Sequence, residues 1–178
     1  KGFLLFSNPH VYGKSIDVKF VMTIVVCNNT LSMALTERGQ PAVRLSHRNH
    51  FNAEMVKELL GISHNRVEQF QEAAEFLSSK RYSDSSYKTF LAQVFGTSNQ
   101  EGKVLSRTAE RALEIVDTQP GADMSPGTWW NAYNSVTYMT DHEMGRSADT
   151  RAAAAWFGHN AKRKLDALNL AVEMAEAA

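Results

Sequence analysis

Apolar and polar positions recur at helical spacing most clearly between residues 127 and 146. One face collects Trp129, Ala132, Tyr133, Val136, Met139 and Thr140, whereas Asn131, Asn134, Ser135, Tyr138 and His142 lie elsewhere. Pro126 and Gly127 precede this stretch and Gly145 follows it, as is common at helix ends. Each large aromatic side chain can bury about 150–250 Å² of surface. We therefore predict a core helix here, with Trp129 and Tyr133 facing inward.

A period of two residues dominates the first part of the chain. Residues 3–7 predict one strand and residues 15–21 a second, in which Ile16, Val18 and Phe20 alternate with Ser15, Asp17 and Lys19. These two strands are predicted to form a hairpin. A third strand is predicted over residues 42–48, where Val43, Leu45 and His47 share one face and Arg44, Ser46 and Arg48 share the other.

The segment between the second and third strands fits two interpretations. Residues 23–26 have the β-branched content of a strand. At helical spacing, however, one face collects Ile24, Cys27, Leu31, Ala34 and Leu35, and residues 31–35 favour a helix. We predict a helix that begins near residue 23, contains the Cys27-Asn28-Asn29-Thr30 sequence, and covers the sheet.

The remainder of the chain is predicted to be helical. Helices are expected over residues 52–79, 84–95 (capped by Ser83), 103–117, the tryptophan-rich stretch, and 159–177. The last helix would bury Ala161, Leu165, Leu168, Val172 and Ala175. The predicted fold class is α+β: a small antiparallel sheet, a hairpin plus one strand, packs on a helix and is followed by a mostly helical C-terminal half. Residues 1–51 would form the sheet part and residues 52–178 the helical region.

Composition and charge exclude several classes of protein. Nineteen Lys and Arg balance nineteen Asp and Glu, so no overall charge attracts the chain to nucleic acid or to an anionic membrane. The single cysteine, Cys27, excludes an internal disulfide and fits a reducing compartment. No apolar run is long enough to span a membrane, and we predict a cytoplasmic protein with no membrane partner. The chain begins at Lys1 and enters an apolar segment at once, so we expect further residues before it.

The sequence gives little support to catalytic chemistry. His47 and His50 are three residues apart, in a strand-to-loop stretch that does not orient them together. The consecutive residues Asp141, His142 and Glu143 would spread over about 200° of a helix and could not bind a metal as a unit. Pairing of Glu143 or Asp141 with an arginine, of which Arg146 is the nearest, is expected instead. Cys27 lies on an apolar face, and no phosphate-binding glycine motif is present. We predict no catalytic residue, no cofactor and no metal.

Local clusters of basic residues are the more useful signal. Arg44 and Arg48 share one strand face, Lys19 lies on the polar face of the hairpin, and Arg38 follows the predicted Cys27-containing helix. Lys162, Arg163 and Lys164 open the last helix, against the preference of a helix dipole for acids at that end. These seven residues are the candidate nucleic-acid contacts, with Tyr12 or Tyr82 as stacking partners for bases. The alternative for the last helix is a set of internal ion pairs such as Lys162–Asp166.

Three segments together resemble a known family. They are Val25-Val-Cys-Asn-Asn-Thr-Leu-Ser-Met-Ala-Leu35, Gly127-Thr-Trp-Trp-Asn-Ala-Tyr-Asn-Ser-Val-Thr137 with Asp141-His142-Glu143 and Gly145-Arg146, and Ala155-Trp-Phe-Gly158. In order and spacing they are similar to the phage/plasmid-like proteins, long catalogued as a domain of unknown function. A hairpin followed by a helix is also similar in layout to Rad52-type single-strand annealing proteins.

The resemblance and the basic residues lead to one functional expectation and two alternatives. The resemblance implies a protein of mobile elements, and we expect a non-enzymatic DNA-binding protein that binds or anneals single strands. Such a protein would act as a homo-oligomer, a ring or a filament. The first alternative is a structural or interaction component without a nucleic-acid role. The second is a metal-dependent enzyme that acts on nucleic acid.

Overall fold

The computed structural model describes the backbone of residues 2–7, 16–24, 29–33, 43–45, 68–98 and 104–178, and the side chains of residues 68–98, 104–148, 150–151, 154–155 and 158–178. Four strands lie in the first part: β1 (Gly2–Ser7), β2 (Ile16–Ile24), β3 (Asn29–Met33) and β4 (Val43–Leu45). All pairings are antiparallel and all include β2. β1 pairs along most of β2, β3 pairs with residues 20–24 of β2, and β4 pairs with residues 16–18.

The helix predicted from residue 23 is wrong, because residues 29–33 form strand β3 and β2 continues to Ile24. In the register, Thr23 is the partner of Thr30 and Met22 the partner of Leu31. β-branched residues on both strands suit this pairing. Backbone hydrogen bonds to a neighbouring strand outweigh the helical spacing of a few apolar residues, which short segments show by chance.

Residues 68–98 and 104–178 are built of helices, with two isolated β-bridges and no strand. The predicted fold class, an α+β domain with a sheet packed on a helix, is therefore wrong: the part of the chain whose side chains the structure describes is helical, and the covering helix is a strand. The helices are α1 (described over residues 68–79), α2 (Asp84–Phe95), α3 (Arg107–Ile115), a 3-10 turn (Ala122–Met124), α4 (Trp129–Tyr138), a π-helical turn (Met139–Glu143), α5 (Ala148–Phe157) and α6 (His159–Glu176).

Side-chain caps explain where most of these helices begin. The hydroxyl groups of Ser83, Ser106, Thr128 and Ser147 each accept a hydrogen bond from the backbone N–H three residues later. Such a cap satisfies one of the N–H groups that a helix leaves without an internal partner. The prediction of helix α2, with Ser83 as its cap and Gly96 as its end, is confirmed. Helix α5 was not predicted, although Ser147 and Thr150 form a complete capping box before it.

Helix α4 lies at the centre of the helical core. All six positions predicted to face inward are buried, and Trp129 packs edge-on against Phe90 and Tyr82, with ring centroids 5.7 and 6.0 Å away. Asn131 and Ser135 are buried as well, contrary to the prediction of a single inward face. Asn131 donates to the carbonyl of Val116 (3.0 Å), and the Ser135 hydroxyl lies 2.8 Å from that of Tyr87. Helix α4 is therefore enclosed on most of its circumference, and the buried Asn131 and Ser135 are paired with neighbouring elements.

Helix α6 buries a different stripe from the predicted one. Only Leu168 and Ala175 of the five predicted positions are buried. The buried face consists of Asn160, Lys164, Ala167, Leu168, Ala171 and Ala175. Small residues on this face let α6 lie against α4. Among the helices of the described residues, none is sufficiently long and apolar to cross a membrane.

Candidate functional site

The chain widens into a π-helical turn where helix α4 ends. Residues Met139–Glu143 form this turn, and the N–H of Met144 donates to the carbonyl of Met139 over 2.8 Å. Turns of this kind are rare and occur frequently at functional sites. This turn contains the Asp141-His142-Glu143 sequence, whose three residues contact different elements.

Asp141 turns inward and pairs with a lysine from helix α6. The Nζ atom of Lys164 lies 2.6 Å from Oδ1 of Asp141, and the two side chains are 0% and 6% exposed. Beside them, Asn160 donates from Nδ2 to the carbonyl of the buried Thr140 (3.3 Å). Burial lowers the pKa of Lys164 from its ordinary value, and the charge of Asp141 opposes that shift. The ion pair and the amide together fix the start of α6 to the π-helical turn.

The other two residues of the sequence turn away from the interior. Glu143 accepts two hydrogen bonds from Arg111 of helix α3, each 2.9 Å long, in a bidentate pair. The His142 ring lies against Tyr138, with centroids 4.8 Å apart, and Arg151 donates to the His142 carbonyl. The expected pairing with an arginine is confirmed for Glu143, but the partner is Arg111 and not the nearer Arg146, and Asp141 pairs with Lys164. The turn therefore links α3, α4, α5 and α6.

The three segments that carry the family resemblance converge at this place. Strand β3, which contains part of the Cys27-Asn28-Asn29-Thr30 segment, lies against α4, α5 and α6. Helix α4 and its π-helical turn carry the second segment, and α5 ends in the third, at Ala155-Trp-Phe-Gly158. Segments that are distant in the sequence thus form elements that lie against one another.

The structure places two of the predicted nucleic-acid contacts close together on the sheet. Arg44 of β4 is the register partner of Asp17 on β2, and Lys19 is two residues further along β2. Cross-strand partners and residues two apart belong to the same side of a sheet. Arg38 and Arg48 lie outside the described residues, as do His47, His50, Cys27 and Tyr12.

The three basic residues of helix α6 have different surroundings. Lys162 is exposed and pairs with Asp166 over 2.6 Å, as the alternative interpretation proposed. Arg163 is half-buried, donates to Oδ1 of Asn160 (3.1 Å), and lies over the Phe95 ring. Lys164 is fully buried, so it does not reach a phosphate at the surface and leaves the candidate set. Tyr82, a candidate for base stacking, is half-buried and packs against Tyr87 and Trp129.

Sequence reasoning missed the partners of the π-helical turn. Lys164 was interpreted as a surface base, and Asn160 and Arg111 were not considered. The sequence does contain a signal for the burial of Asn160 and Lys164. They are four residues apart, on the same helix face as Ala167, Ala171 and Ala175. In the part of the chain from residue 68 onward that the structure describes, no group of three His, Cys, Asp or Glu residues could hold a metal ion.

Comparison with known proteins gives a family and no closer relative. A search of curated proteins found no match, and a search of solved structures found none either. The model of one family, described as Domain of unknown function (DUF932), matches residues 1–164. The match covers both the strands and the helices up to Lys164, which pairs with Asp141. The chain therefore belongs to the DUF932 family.

Proposed function

We propose that this protein binds single-stranded DNA without acting on it as an enzyme. The observation that carries the proposal is the distribution of charge. Residues 1–67 contain eight Lys and Arg against four Asp and Glu, whereas residues 68–178 contain eleven against fifteen. A neutral chain with a net positive part and a net negative part is expected to bind a polyanion on the positive part. The binding surface would therefore lie on the strands.

The register of the strands supports this location. Lys19 and Arg44 belong to the same side of the sheet. They are separated by the spacing between two strands and by two residues along β2. Neighbouring strands are about 4.8 Å apart and residues two apart about 6.6 Å. Two basic residues at this spacing can contact the backbone of one single strand, which a positively charged groove follows in proteins of this kind. Arg38 and Arg48 are the further contacts that the sequence proposes on the same part of the chain.

Binding to a labelled oligothymidylate, measured by fluorescence anisotropy at several salt concentrations, tests the proposal. Each phosphate contact contributes about −0.7 to the slope of log K against log salt for single strands. Arg44→Ala should flatten the slope by about 0.7, and duplex DNA of equal length should bind more weakly. The matched control is Asp17→Asn, which removes the acid opposite Arg44 and should strengthen binding. Failure of the full chain to bind at low salt would refute the proposal.

We further propose that the protein comes from a phage or plasmid and anneals complementary strands as a homo-oligomer, in the manner of Rad52-type proteins. Among the described strands, β1 pairs only with β2 and so occupies an edge. An edge strand with the sequence Gly-Phe-Leu-Leu-Phe-Ser is one that folded proteins cover. Light scattering after size exclusion should give more than one subunit, and Leu5→Asp should reduce that number. A wild-type monomer that does not accelerate annealing would contradict this second proposal.

A further inference from the structure

A groove of about 300 Å³ lies between helices α2 and α6. Val94, Ala167 and Leu170 give it an apolar floor. His159, Lys162 and Arg163 line one end, so three basic side chains meet at the edge of an apolar surface. Asp166 is the only acid among the residues that line it. A volume near 300 Å³ is at the lower limit of small-molecule sites and suits one flat ring with a charged substituent.

Arg163 is held in a position from which it can stack on a planar ligand. Its guanidinium carbon lies 5.8 Å from the centre of the Phe95 ring, and its Nη1 donates to Asn160 over 3.1 Å. A guanidinium group over an aromatic ring uses one of its faces there. The opposite face of the Arg163 guanidinium group can stack on a nucleic-acid base, as arginine side chains commonly do.

Lys162 supplies a charge that can be redirected. Its partner is Asp166, but the two side chains are 76% and 58% exposed. Exposed pairs of this kind contribute little to stability, so a phosphate can compete for the lysine at small cost. His159 is exposed beside it and adds positive charge when protonated.

We infer that this groove binds one nucleotide: the base lies on the floor against Arg163, and the phosphate contacts Lys162 and His159. The inference rests on the proposed function, since a strand that binds the sheet could place one of its nucleotides here. It adds a second contact on the helical part of the protein, which the charge distribution alone does not indicate.

Titration of the ¹⁵N-labelled full chain with dTMP up to about 10 mM, and separately with oligothymidylate, tests the inference by NMR. Backbone amide signals of residues 93–95 and 159–170 should move with both ligands. Lys162→Ala and Arg163→Ala should each weaken dTMP binding about three- to tenfold. Leu170→Trp, which fills the groove without changing the charge, should abolish it. Lys88→Ala removes an equal charge from α2 outside the groove and should have no effect.

The possible outcomes separate this inference from the proposed function. Oligothymidylate binding with unchanged signals at residues 93–95 and 159–170 would overturn the groove and leave the proposed function intact. Binding of dTMP in the groove without any binding of oligothymidylate would support the groove and refute the proposed function. Equal effects of inorganic phosphate and dTMP, or retention of dTMP binding by Leu170→Trp, would overturn the inference, because the base would then make no contact.

Discussion

Replacing Lys164 by methionine tests the buried ion pair at the π-helical turn. Methionine keeps most of the length and volume of the side chain, up to the position of Cε, but removes the ammonium group. Asp141, whose side chain is 6% exposed, then loses the partner 2.6 Å from its Oδ1 atom. We expect a large loss of stability from a change that leaves the packing nearly unaltered.

The magnitude follows from the distance and the burial. Two unit charges 2.6 Å apart attract by about 6 kcal/mol at an effective dielectric constant of about 20. Removing both charges from water costs several kcal/mol per ion, so the net contribution of the intact pair is small. Removing one partner leaves the other charge buried, and this typically costs about 3–5 kcal/mol. That is a large fraction of the stability of an ordinary domain, about 5–15 kcal/mol.

The same helix contains a matched control. Lys162 and Asp166 have the same N–O distance of 2.6 Å, but their side chains are 76% and 58% exposed. Lys162→Met should therefore cost at most about 1 kcal/mol. Urea denaturation followed by circular dichroism gives the free energy of unfolding of both variants and of the wild type. Adding Asp141→Leu to Lys164→Met should recover a large part of the loss, because no buried charge then remains.

Two results would refute this reasoning. If Lys164→Met costs no more than Lys162→Met, the burial of the pair has no energetic consequence. If the double variant is as unstable as the sum of the single variants, the two side chains do not act on each other and the loss has another origin.

Two further predictions use the same unfolding measurement. Trp129→Ala should cost about 3–5 kcal/mol, because the ring is fully buried and contacts two other rings; an unchanged midpoint would contradict its place in the core. Asn131→Ala should lower the free energy of unfolding by about 1–3 kcal/mol, because the Val116 carbonyl loses its hydrogen-bond donor. The control Asn169→Ala removes an exposed amide and should cost little. Equal costs for the two variants would contradict the buried hydrogen bonds of Asn131.

The sequence predicted the elements whose signals are local. Helix α2 has a serine cap, a short apolar stripe and a terminal glycine, and all three are properties of neighbouring residues. The inward face of α4 follows from the spacing of large aromatic residues, which have few other places to be buried. Such signals do not depend on the rest of the chain, and so they can be interpreted without it.

The errors concern features that arise between elements. Strand β3 exists because β2 offers it a partner, and helical spacing within residues 23–35 says nothing about that partner. Lys164 was expected at the surface because lysine is rarely buried. Its burial depends on Asp141, 23 residues away, and on a widened turn that no local pattern announces. Asn131 was placed off the inward face for a similar reason, since its partners belong to the segment after α3.

At the π-helical turn, the number of residues matters more to the structure than the identity of a residue such as His142. Such a turn has the geometry of an α-helix into which one residue has been inserted. In an uninterrupted α-helix, the spacing of Val136 and Met139 would continue inward to Glu143 and direct Asp141 away from the core. The extra residue exchanges these roles, so Asp141 reaches Lys164 and Glu143 reaches Arg111. Deleting a single residue from Met139–Glu143 would separate both pairs at once, whereas substituting His142, whose backbone carbonyl makes the contact with Arg151, would leave them in place.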